Sequence, residues 1–163
     1  MPTSAIARQA GVAAGTLYLY FESKEDLINQ LYLEVVSDLA RATIEGIDRE
    51  APVPDEFRRA WFNRARWHLD NLAASNFMRQ CEASAVLTDA TLAAKAEVEK
   101  EANAQFVAAL TSGKLHPWPR QVHYALLEGP ILVLAHLRDK GEIEITDEIL
   151  EMTFQGVARA MLV

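Results

Sequence analysis

Leu27, Leu31, Val35 and Leu39 recur at every fourth position, with Ile28 and Tyr32 beside them, and this spacing constrains the fold more than any other feature. Side chains four residues apart stack on one face of an α-helix, whereas a half-buried strand needs alternation at every second residue. The pattern persists along the chain. Phe57, Trp61, Ala65 and Leu69 mark one face of a later helix, and Ile149, Met152, Thr153, Gly156, Val157, Ala160 and Met161 share a stripe near the end. Strand-length alternation is scarce, so the expected fold is all-α.

Capping and breaking residues divide that pattern into elements. Ser23 reads as an N-cap with Asp26 as its capping-box partner, opening a helix that runs to about Asp48. Pro52 and Pro54 interrupt it, and Asp55 is expected to cap the next helix. Ser75-Asn76 reads as a further break, with Asn76 capping a helix over 77–86. Thr88-Asp89 opens what reads as one segment to about Thr111, with Lys95 and Lys100 paired to Glu99 and other carboxylates on a solvated face. Ser112-Gly113 ends it, and His116-Pro117-Trp118-Pro119 forms a connector. Arg120 to Lys140 is the most apolar helix, expected to kink at Gly129-Pro130 and to close on Gly141. Thr146 or Asp147 starts the last helix, in which Gly156 and Ala160 would let another helix approach closely.

Charge and composition narrow the function classes. The net charge of −7 is not the basic footprint of a strong phosphate binder. From Met1 to Ser23, however, Arg8 and Glu22 are the only charged side chains, so the acidity lies beyond the opening stretch. The single cysteine, Cys81, precludes an intrachain disulfide and suits a reducing, cytoplasmic home. The start lacks the basic region and apolar core of a secretory signal. No apolar run approaches the roughly 20 residues of a membrane helix. No phosphate loop, metal cluster or nucleophile motif appears, and His68 and Cys81 fall on different expected helices. Neither an enzyme, a metal nor a cofactor is expected.

The stretch from Thr3 to Asp26 has the grammar of a helix-turn-helix. Ile6, Ala7 and Ala10 face inward from a short first helix, and Gly11 supplies the sharp turn. Val12 plugs the gap, and a second short helix runs from Ala14 to Tyr20. Thr3, Ile6-Ala7, Ala10-Gly11-Val12, Gly15-Thr16-Leu17-Tyr18, Tyr20-Phe21 and Ser23-Lys24-Glu25-Asp26-Leu27 together resemble the TetR family of transcriptional regulators. The resemblance covers roughly the first 30 residues; beyond them the chain matches that family in architecture alone.

The resemblance implies a division into a helix-turn-helix DNA-binding region, residues 1–26, and a helical ligand-binding and dimerisation domain, residues 27–163. The family begins with a further helix ahead of the motif, and Met1-Pro2 falls where that helix would have ended. The first domain is therefore expected to lack it. Thr3, Tyr18, Tyr20 and Lys24 would meet phosphate or base, while Ala13, Ala14, Gly15 and Thr16 would lie at the groove-facing end of the recognition helix, with Leu19 contributing to specificity. Ala13 and Ala14 can only pack on a thymine methyl.

In the body, the resemblance implies a pocket for a small-molecule inducer, with Trp61, Trp67, His68, Phe77, Met78, Cys81, Phe106, Tyr124 and Glu128 as its candidates. His68, Cys81 and Glu128 are the polar residues that would orient a ligand. Each also has a plain reading as packed core. The last two apolar helices are expected to pair with those of a second subunit in a four-helix bundle. The leading expectation is a repressor released from a palindromic operator by an inducer. The alternative is a dimeric small-molecule-binding helical protein that does not bind DNA.

Overall fold

Ser23 starts the first described helix by local chemistry. Its Oγ accepts the Asp26 N–H at 3.0 Å, while Asp26 Oδ2 accepts the Glu22 N–H at 3.0 Å, one residue earlier than a capping box requires. The structure is a computed structural model, and it describes residues 19–48 and 52–163. Among them are seven helices and no strand: α1 (Lys24–Ile44), α2 (Val53–Asp70), α3 (Leu72–Glu82), α4 (Asp89–Ala102), α5 (Ala104–Thr111), α6 (Arg120–Asp139) and α7 (Asp147–Met161). The fold is all-α. One isolated bridge, Leu115 to Leu162, ties the α5–α6 connector to the end of α7.

Thr88 and Thr146 cap α4 and α7 as their positions predict, accepting the N–H groups of Thr91 at 3.2 Å and Ile149 at 3.3 Å. Gly141 follows α6 with φ of +70°, where a β-carbon is disfavoured, and the Glu142 N–H closes back on the Leu137 carbonyl at 3.0 Å.

Elsewhere the boundaries depart from the sequence expectation. The second helix begins at Val53 with Pro52 in the cap position, not at an Asp55 cap. Ser75 does not interrupt a helix. Its Oγ lies 2.8 Å from His68 Nδ1, so the hydroxyl that would compete with the backbone is engaged elsewhere, and α3 runs through it from Leu72. The break falls instead at Asn71, whose backbone N–H and side-chain amide both reach the Trp67 carbonyl, at 2.9 and 3.0 Å. The expected long helix to Thr111 divides at Asn103, and α5 turns to bury Ala109 against α2.

Helix α2 is the shared wall of two apolar clusters. Trp61, Phe62, Ala65 and Leu69 pack with Ile131 and Ala135 of α6 and with Leu150, Phe154 and Val157 of α7. The Phe154 ring lies 5.6 Å from Trp61, 5.8 Å from Phe57 and 5.9 Å from Phe62. Trp67 of α2 points into the second cluster, with Tyr32, Val36 and Leu39 of α1 and Met78 and Cys81 of α3. Burying each such side chain contributes about 1.5–3 kcal/mol.

Candidate functional site

Of the residues predicted to touch DNA, Thr3, Ala13, Ala14, Gly15, Thr16 and Tyr18 lie outside the described residues. Leu19 and Tyr20 are 80% and 75% exposed, and Lys24 is the first residue of α1. A large apolar and a phenolic side chain are thus left in solvent just ahead of α1.

The body contains a cavity of about 370 Å³, within the range of small-molecule sites. Phe57, Ala60, Trp61 and Arg64 form one wall from successive turns of α2. Lys95, Glu99 and Ala102 of α4, with Phe106 and Ala109 of α5, form another. Arg120, Tyr124, Leu127 and Glu128 of α6 close it, and Thr43 reaches it from the last turn of α1.

A chain of polar side chains runs through its floor. Arg64 donates through Nε to Glu128 in a close ion pair, and Glu128 Oε2 lies 3.3 Å from His68 Nε2. His68 meets Ser75 on its other side. A ring protonated at Nε2 faces the carboxylate and accepts the Ser75 hydroxyl at Nδ1. Burial alone would push the Glu128 carboxyl up. The Arg64 guanidinium and His68 outweigh it and hold Glu128 at about 2.

Lys95 sits at the second polar corner. Its ammonium is 2.7 Å from Glu82 and 3.9 Å from Glu99, with 23% of the side chain exposed. It therefore lies in the cavity wall and not on the solvated face expected from its alanine- and glutamate-rich helix. Lys100, by contrast, stays 75% exposed beside Glu97. Burial lowers the Lys95 ammonium, but its hydrogen bond to Glu82 reverses that and raises it. Burial pushes the Glu99 carboxyl up despite Lys95 and Arg64. Partial burial, aided by Glu128 and Glu82, pushes the Tyr124 phenol up to about 12.

Four of the nine predicted pocket residues therefore come together: Trp61, Phe106, Tyr124 and Glu128 line the cavity. His68 stands behind Glu128, fully buried. Trp67, Met78 and Cys81 belong to the cluster on the other side of α2, and Phe77 packs against it. Sequence reasoning missed Phe57, Arg64, Lys95, Glu99 and Arg120. Phe57, Ala60, Trp61 and Arg64 follow a helical i, i+3, i+4, i+7 series, so the face that carries Trp61 already pointed to Arg64. Among the described residues no group of three or more histidine, cysteine or acidic side chains is placed to hold a metal ion, and no helix is long and apolar enough to cross a membrane.

On the last two helices, Val122 and Val133 of α6 and Met152 of α7 are exposed, and a β-carbon added at Gly156 would meet no atom within 4 Å.

The family profile described as bacterial regulatory proteins of the TetR family matches residues 1–31. An uncharacterised HTH-type transcriptional regulator of Haemophilus influenzae is 36% identical over 58 residues, or 36% of this chain and 31% of that protein. The fatty acid metabolism regulator protein of Bacillus subtilis is 42% identical over 53 residues, or 32% of this chain and 27% of that protein. Over its opening 31 residues the chain is similar to the TetR family. The matched stretch thus spans less than a third of either curated relative's length.

The likeness of fold to solved structures reaches well beyond the matched opening stretch. A TetR-family transcription regulator from Marinobacter aquaeolei superposes with a TM-score of 0.91 at 24% identity, covering 99% of this chain and 85% of that one. One from Haemophilus influenzae superposes with a TM-score of 0.78 at 23% identity, covering 100% and 86%. At these identities the likeness is one of fold. The TetR-family profile ends at residue 31, within α1, so every cavity residue lies beyond it. Both curated relatives are named as regulators.

Proposed function

We propose that this chain is a ligand-responsive, DNA-binding transcriptional repressor, released from its operator when a small molecule enters the cavity. The observation that carries this reading is the course of α1. The helix starts at Lys24, inside the region matched by the family profile, and ends at Ile44, one residue beyond Thr43 of the cavity wall. At 1.5 Å per residue its 21 residues span about 30 Å, so one rigid element joins the DNA-reading end to the ligand site.

The exposed apolar residues of α6 and α7 support a homodimer built by self-complementary packing of those two helices. Such a dimer would present two recognition helices about one turn of DNA apart, roughly 34–36 Å, and so would read a near-palindrome. The test is a fluorescence-anisotropy titration of the protein against DNA from upstream of its own gene, at low and high salt, with Tyr18→Ala as control. Binding that falls with salt and is weakened by the substitution supports the reading. Absence of binding at low salt refutes it.

The net charge of −7 favours a second reading, a dimeric small-molecule-binding protein that does not engage DNA. Under that reading a ligand raises the melting temperature while no salt-sensitive DNA association is seen.

A further inference from the structure

Arg64 has unused hydrogen-bonding capacity in the cavity wall. A guanidinium carries five N–H donors in a planar fork. Arg64 Nε serves Glu128 and Nη1 reaches Thr43 Oγ1 at 3.3 Å, while none of the hydrogen bonds among the described residues uses Nη2. The side chain is 20% exposed and lines the cavity. Its Nη1–Nη2 edge presents two parallel donors, the arrangement that matches both oxygens of a carboxylate. Phe57, Trp61, Phe106 and Leu127 offer apolar contact around it.

The two bonds of Arg64 run to different helices: Glu128 belongs to α6 and Thr43 to the last turn of α1. They are unequal. The Glu128 contact is a close ion pair, whereas the Thr43 contact is long, and the Thr43 hydroxyl already donates to the Leu39 carbonyl at 2.7 Å. A competing acceptor would therefore displace Thr43 first. The neighbouring Asn63 holds the same helix end, donating to the carbonyls of Thr43 at 3.3 Å and Glu45 at 2.9 Å. Arg64 and Asn63 together form a latch between α2 and the C-terminal end of α1.

We propose that the cavity takes a ligand with a carboxylate on an apolar body, and that this carboxylate, bound by Arg64, breaks the Arg64–Thr43 bond and loosens the end of α1. The proposal rests on the ligand-responsive reading above and names both the ligand chemistry and the residue that transmits occupancy. Burial raises the Glu99 carboxyl, which lessens its opposition to an anion.

The test uses octanoate, octanol and octylammonium as probes of matched body and different head. Binding is followed by tryptophan fluorescence, and α1 by hydrogen exchange at the Glu45 and Ile47 amides, whose bonds to the Ala42 and Ile44 carbonyls end that helix. Octanoate is expected to bind about tenfold or more tightly than octanol and to speed exchange at both amides. Arg64→Lys, which keeps the charge but loses the fork, should remove that preference. Thr43→Val should still bind octanoate, with exchange fast before ligand is added and unchanged after it. Tighter binding of octylammonium, no binding of octanoate, or an octanoate response that survives Thr43→Val would overturn the proposal. If DNA binding is absent while the exchange response is present, the repressor reading fails and the latch stands.

Discussion

His68 Nε2 lies 3.3 Å from Glu128 Oε2, and this contact joins the buried face of α2 to α6 at the floor of the cavity. Glu128 is also paired with Arg64, so one carboxylate offsets the burial of a guanidinium and lies beside an imidazole that Ser75 holds on its other side. Replacing it with the isosteric amide leaves the largely buried Arg64 in the cavity wall without its counter-charge. Glu128→Gln is expected to destabilise the fold by about 3–5 kcal/mol, read as a lowered urea midpoint with unchanged m. A loss under about 1 kcal/mol would show that the pair is solvated and does not anchor α6.

The same pair sets the acid side of the stability profile. Glu128 titrates at about 2 in the folded chain, below the ordinary 4.5, so its stabilisation is complete above 4.5 and is lost as pH falls towards 2. The difference corresponds to on the order of 3 kcal/mol. Glu99, raised by burial, acts in the opposite sense: its contribution is complete below 4.5 and fades as pH rises through its folded value. Thermal unfolding by circular dichroism should therefore show a Tm that holds or climbs slightly as pH is lowered to about 4.5, then drops steeply. In Glu128→Gln the steep drop should be much reduced.

Thr146 holds the start of α7 through a single side-chain bond to the Ile149 N–H at 3.3 Å. Thr146→Ala should cost about 0.5–2 kcal/mol, and Thr146→Asp should recover most of it, because aspartate is also a strong N-cap. Chemical denaturation of the three proteins checks the order.

Met152 is 66% exposed on α7, among the residues we propose for dimer packing. Met152→Asp should place a charge in that interface and shift the protein to monomer at micromolar concentration, as measured by sedimentation equilibrium. A monomeric wild type, or a variant that remains dimeric, would move the interface elsewhere.

Much of the fold is legible from local sequence because its causes are local. Thr88 and Thr146 cap their helices with hydroxyls three residues from the N–H groups they satisfy, and Gly141 ends α6 in a backbone state that suits glycine. Fourfold apolar spacing states which faces are buried without stating what covers them. Lys95 shows the limit. Its neighbours in sequence describe a solvated helix, and only the approach of Glu82 from α3 turns it into the cavity wall. Ser75 shows the same from the other side, since its competition with the backbone ends once His68 is within 2.8 Å.

By itself, then, the sequence determined an all-helical chain, most of its caps and the family that its opening stretch resembles. Tertiary structure alone decided that Trp61, Phe106, Tyr124 and Glu128 share a cavity with Arg64, Lys95 and Glu99, and that Trp67, Met78 and Cys81 do not. The physical reason is that periodicity assigns a residue to a face of its own helix, whereas a cavity is made by several faces meeting. Trp61 and Trp67 are six positions apart on α2, and the packing of α1 and α3 on one side and α6 and α7 on the other sends them into different clusters.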